Sequence, residues 1–163
     1  MPEPLRPLRV HEDEPDYAIA SLGGLLIQVY RRRAPLAAAR RARQVADEII
    51  AAGLQPRGLL VVTLEGAVPP DADARDVLTK LGTGMRAAQG CAFVSLSRGF
   101  GAAMMRSIMT GMTLLARPDF PVKTFADWEP GVDWIAARLD VDPEPVMEAL
   151  AQLGVDRSTT PAG

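Results

Sequence analysis

Two short, almost uninterrupted apolar runs constrain this chain more than any other feature: Leu59-Leu60-Val61-Val62-Thr63-Leu64 and Cys91-Ala92-Phe93-Val94-Ser95-Leu96. A strand with one solvated face alternates apolar and polar residues, whereas a strand covered on both faces does not. Both runs are too short for a buried helix. Between them Ala74, Val77, Leu78, Leu81, Met85 and Ala88 recur at helical spacing. Parallel neighbours need a crossover of about a dozen residues or more, and a helix there supplies it. The runs therefore predict adjacent parallel strands inside an α/β sheet.

The remaining elements extend that unit in both directions. Tyr17 to Leu22 and Leu25 to Tyr30 flank Gly23-Gly24, a two-residue hairpin signal, since primed turns need positive φ. From Pro35 to Ala51 the positions Ala38, Ala39, Ala42, Val45, Ala46, Ile49 and Ile50 form one apolar arc opposite Arg40, Arg41, Arg43, Gln44, Asp47 and Glu48. Pro35 suits the first turn of this helix and Gly53 the position past its end. Asp71 and Asp73 mark the start of the next helix, near the positive end of its dipole. Gly99-Phe100-Gly101 turns the second buried run into a helix from about Ala102 to Ala116. Phe120 to Phe125 reads as a short strand, with Pro121 placing it at an edge or a strand start. Asp127 is positioned to cap a helix carrying Val132, Ile135, Ala136 and Leu139. A last amphipathic helix spans about Pro143 to Leu153.

The expected order is a hairpin followed by α-β-α-β-α-β-α, with a mixed sheet of about five strands. Residues 1–15, rich in proline and acidic side chains, read as an irregular lead-in. Residues 16–140 form the domain, and 141–163 carry an appended short helix and a frayed tail from Arg157 onward.

Composition limits function. With 18 basic and 20 acidic side chains in 163 residues, total charge argues against a nucleic-acid binder. One cysteine and one histidine exclude a disulfide framework, a multi-cysteine zinc site and paired-histidine metal motifs. The first residues lack the apolar core of a secretory signal, and no uncharged stretch reaches the roughly 20 residues of a membrane span. A cytoplasmic protein is the expectation.

The order of elements resembles that of SpoIIAA-like proteins of the STAS-like fold, which anti-sigma-factor antagonists share and which is similar to the lipid-binding CRAL-TRIO fold. The resemblance covers about residues 16 to 139. Its most specific part is Phe120-Pro121-Val122-Lys123-Thr124-Phe125-Ala126-Asp127 followed by Val132-Asp133-Trp134-Ile135, which looks like the closing strand, capped helix and tryptophan–aliphatic pair of that family. It implies a regulatory or interaction scaffold. Phospho-switching members carry a serine or threonine where the central strand enters its helix. The equivalent stretch here, Glu65-Gly66-Ala67-Val68-Pro69-Pro70-Asp71, has neither.

No catalytic, cofactor or metal constellation emerges. His11 lies in the acidic lead-in and reads as solvated. Cys91 opens an apolar strand and reads as buried, with no base placed beside it. Arg31-Arg32-Arg33 with Arg40, Arg41 and Arg43 reads as a solvated helix face, in which Asp47 can pair with Arg43. The turn Ser97, Arg98, Gly99 and Gly101 is a candidate anion site, set against the plain need for glycine in a tight strand-to-helix turn.

The helix from Ala102 to Ala116 carries the main functional expectation. Met104, Met105, Ile108, Met112 and Leu115 form its expected core stripe. The reverse face, with Ser107, Thr110, Thr113 and Leu114, is almost uncharged. Met104, Met105, Met109, Met112, Ser107, Thr110 and Leu114 are thus a candidate interaction or ligand surface, methionine being adaptable in both settings. The leading expectation is a non-catalytic, cofactor-free interaction module binding a protein partner or a second copy of itself. The alternative is a carrier of a small apolar or lipid-like ligand, held in a cavity between the sheet and this helix.

Overall fold

The computed structural model describes residues 6–159. The first part of the expected lead-in and residues 160–163 of the expected tail lie outside them. Six strands and five α-helices follow one another as β1 (Leu8–Asp13), β2 (Tyr17–Leu22), β3 (Leu25–Tyr30), α1 (Leu36–Ala51), β4 (Gly58–Thr63), α2 (Ala72–Gly84), β5 (Gly90–Ser95), α3 (Gly99–Ala116), β6 (Val122–Phe125), α4 (Trp128–Leu139) and α5 (Pro143–Gln152). Arg157–Thr159 adds a single 3-10 turn.

The strands lie side by side in sequence order, β1 to β6. β1, β2 and β3 pair antiparallel, and β3 through β6 pair parallel. Right-handed crossovers that always step the same way put every connecting helix on one face. That face carries α1, α2 and α3, and the chain then returns over the other face as α4 and α5.

Local chemistry accounts for the element ends. The hairpin register pairs Leu22 with Leu25, leaving Gly23 and Gly24 as the two-residue turn. Only Gly23 takes a positive φ, of 59°. Gly24 answers a different demand, because a Cβ there would stand 2.4 Å from the Gln55 carbonyl oxygen. Gly53 follows α1 at φ 78°, the left-handed position its sequence place requires. Asp71 caps α2, its side chain accepting the Ala74 N–H at 2.9 Å. Asp127 occupies the N-cap of α4 but makes no capping hydrogen bond through its side chain, contrary to expectation.

Two cores flank the sheet. On the α4/α5 face Ile27, Leu60, Val62 and Val94 pack with Trp128, Val132, Ile135, Val146, Leu150 and Leu153. On the other, Ile19, Leu26, Leu59 and Cys91 pack with α1 residues Ala38, Ala42, Val45 and Ile49 and with Leu81, Met85 and Phe120. α5, read from the sequence as an appendage, thus supplies core.

The lead-in is corrected by β1, which raises the strand number from about five to six. Its sequence, LRVHED, has only Leu8 and Val10 as apolar residues, of which Leu8 packs against the α4/α5 core. An edge strand is half solvated, so charged side chains are tolerated on it and its outer backbone groups face water.

Candidate functional site: an apolar cleft under helix α3

α3 is not seated on the sheet as α4 is. α4 lies against β4, β5 and β6, whereas the close backbone neighbour of α3 is α2. Of its eighteen residues only Met105 is fully buried. The gap is a slender cleft of about 90 Å³, partly open to solvent. That is well under the roughly 300–1,000 Å³ usual for small-molecule sites, so an occupant has to push the flexible methionines aside. Its floor is Leu59, Val61, Cys91, Phe93 and Val122; its roof is Met105, Ile108, Met109 and Met112.

One corner is polar. The register places Tyr30, Thr63 and Ser95 in a row across the carboxyl ends of β3, β4 and β5. Gln28 stands one pleat below Tyr30, in a strand otherwise built of large apolar residues. The Tyr30 hydroxyl donates to Gln28 Oε1 at 2.5 Å, and Thr63 donates to the Val94 carbonyl at 3.1 Å. Burial pushes the Tyr30 phenol up, so it keeps its proton to donate. Ser95 Oγ, next along the row, is buried without a hydrogen-bond partner. No charged side chain lines the cleft.

No protein-family model matches the chain, and no curated protein sequence does. Among solved structures, the chain is similar to an uncharacterized protein of the DUF3478 family from Shewanella loihica PV-4, described as having a SpoIIAA-like fold. The superposition covers 83% of this chain and 98% of that one, with a TM-score of 0.50 and 14% identity. The chain has a SpoIIAA-like fold.

Within this SpoIIAA-like fold the candidate residues divide. Met105, Met109 and Met112 face the cleft with Ile108, and so does Thr113, expected on the reverse face. Met104 and Leu115, expected in the core stripe, point outward and are 39% and 78% exposed. Ser107, Thr110 and Leu114 are exposed as well. The stripe is rotated because methionine and leucine occur on all sides of α3, so its sequence carries little phase information. Phe100, which the sequence reading placed in a turn, begins the exposed apolar row on the helix at 84%.

Ser97 and Arg98 form the β5–α3 turn; Gly99 and Gly101, expected in it, belong to the first turn of α3, and none of the four lines the cleft. Gly99 has φ 60°, so conformation alone accounts for that glycine. Cys91 is buried as expected, and burial pushes its thiol up to about 12. Three of the six arginines of the basic cluster are in ion pairs: Arg31 with Asp13 at 2.6 Å, Arg33 with Asp16 at 2.7 Å, and Arg41 with Glu48 at 2.8 Å. This last pair, not Arg43 with Asp47, is the one that forms on α1. Among the described residues no helix is long and apolar enough to cross a membrane, and no three metal-ligating side chains cluster.

His11 is not solvated. β1 pairs with β2 through a register shift between Val10 and Glu12, and His11 is the bulged residue. A bulge re-aims its side chain. Here the imidazole turns inward, Nε2 2.8 Å from Ser21 Oγ and Nδ1 3.1 Å from Glu48 Oε2, its side chain only 5% exposed. The order serine, histidine, carboxylate is that of a hydrolytic relay. Ser21, however, is buried in β2 and lines no part of the cleft. The charged residues around His11 gave no sign of this contact, which depends on the bulge.

Proposed function

We propose that this SpoIIAA-like protein carries a slender apolar molecule between its sheet and α3, and does no chemistry on it. The single observation that carries this reading is the cleft: methionine-roofed, apolar-floored and left open by a helix that leans on α2 instead of on the strands. Flexible methionines accommodate a range of apolar shapes, which suits a carrier. The lining holds no group poised for catalysis, and its sole thiol is held protonated by burial.

Native mass spectrometry of the purified full chain tests this directly, with alkylation of Cys91 as a second readout. A co-purifying small mass is expected, together with slower alkylation of Cys91 when an apolar probe is added. An unliganded mass combined with an alkylation rate that no apolar probe alters would sink the reading.

A second reading rests on the outer side of α3. Phe100, Leu114 and Leu115 are 84%, 70% and 78% exposed, forming an apolar surface on a helix whose inner side already faces the cleft. A second copy of the chain is the occupant to test first. Sedimentation velocity over a concentration range would show a dimer that Leu115→Glu abolishes; a monomer throughout would remove this reading and leave the carrier untouched.

A further inference from the structure

The cleft is not uniformly apolar, and its one polar corner defines what it would recognise. Gln28 is 98% buried, with 2% relative exposure, and lines the cleft. A buried primary amide brings two N–H donors and one carbonyl acceptor. The Tyr30 hydroxyl takes the carbonyl oxygen. The amide nitrogen has no partner among the described residues, and unlike Ser95 Oγ it is not fully enclosed. Thr63, beside it, has spent its proton on Val94. Ser95 Oγ, the unpartnered group of the row, does not line the cleft, so the donor within a ligand's reach is on Gln28. A donor set in so apolar a lining is matched by an acceptor that the ligand brings.

The charge of the lining narrows the choice. With no arginine, lysine or histidine along the cleft, an anionic head group would be stripped of water with nothing to neutralise it. A neutral acceptor meets the same donor without that cost. Building on the carrier reading, we infer that the ligand is a slender, uncharged hydrocarbon chain bearing one carbonyl oxygen, of the ester or ketone class. Its oxygen is held by Gln28 Nε2 at the carboxyl end of β3, and its chain runs beneath α3 toward Ala116 and Pro118. Tyr30 acts as a positioning residue: by engaging Oε1 it turns the amide nitrogen toward the cleft.

The test compares three probes of matched length on the full chain: methyl dodecanoate, dodecanoate and tridecane. Each competes against an environment-sensitive fluorophore at neutral pH, while NMR follows the Gln28 side-chain amide. The ester is expected to bind about ten-fold more tightly than tridecane, the scale of one satisfied buried donor. It should also outcompete the carboxylate and shift the Gln28 amide protons, which tridecane leaves in place. In Gln28→Met, which keeps the volume and loses the donor, the preference over tridecane should vanish while tridecane binds as before. A preference that survives Gln28→Met, equal affinities for ester and alkane, or tightest binding by the carboxylate would each overturn the inference while leaving the carrier reading standing. Failure of every probe to bind would instead overturn the carrier reading and this inference with it. The NMR comparison on the unmodified chain decides the matter even where the variant does not fold.

Discussion

His11 joins Ser21 on β2 to Glu48 on α1, and its surroundings set how the molecule responds to acid. Burial, more than any other cause, holds the imidazole below its ordinary value of 6.5; Arg41 and Arg9 add to this and Glu48 opposes it. Glu48 is also lowered, first by its hydrogen bond from Arg41. Both shifts act in one sense, because the unfolded chain takes up the proton more readily than the folded one. The contribution is complete above the unfolded value of His11 and is lost as pH falls through its folded value, with the Glu48 share going at lower pH. Urea unfolding at a series of pH values should therefore show stability dropping below about pH 6.5. His11→Gln should flatten that drop, and an unchanged slope in the variant would show that this contact does not govern it. Ser21→Ala removes one hydrogen bond and should cost about 1 kcal/mol at neutral pH. None of this was legible in the run of charges around His11, because a bulge is a property of the pairing and not of one strand. Gln28 was more legible: a lone amide inside an otherwise apolar strand is a signal, passed over because the run as a whole reads so clearly as core.

At the scale of elements, α4 and α3 show opposite ways of covering a sheet. α4 approaches so closely that a Cβ added to Gly131 would stand 2.7 Å from Val94 Cγ2. Gly131→Ala should thus destabilise by about 1–3 kcal/mol, read by thermal unfolding, since neither the helix nor the core strand can yield cheaply. α3 has no such contact with the strands. The elements whose faces differ chemically were readable in advance: α1 from its apolar arc, α2 from Asp71, and β4 and β5 from unbroken apolar runs. β1 was not, because alternating charge on an edge strand looks like solvated coil. The orientation of α3 was not, because a helix apolar on several sides has no preferred direction in its own sequence. For that same reason Met104, Leu115 and Thr113 lie on other sides of the helix than expected.

For the whole molecule, occupancy of the cleft should be felt globally, since it would fill the space between α3 and the central strands. A ligand present at a hundredfold excess over its Kd adds about 2.7 kcal/mol. For a chain of this size that is a rise of roughly 5–10 °C in Tm, which differential scanning calorimetry with methyl dodecanoate would register. No rise under saturating conditions would mean that the probe does not distinguish folded from unfolded chain. The sequential sheet has a further consequence at its first edge. β2 is buried along its whole length, Tyr17 through Leu22, and the strand outside it is a bulged ribbon carrying Arg9, Glu12 and Asp13. β1 is therefore a guard rail. A chain shortened to begin after Asp13 would present a flat, greasy backbone ladder to its neighbours, and such molecules would zip together edge to edge into scattering aggregates where the full-length chain stays dispersed.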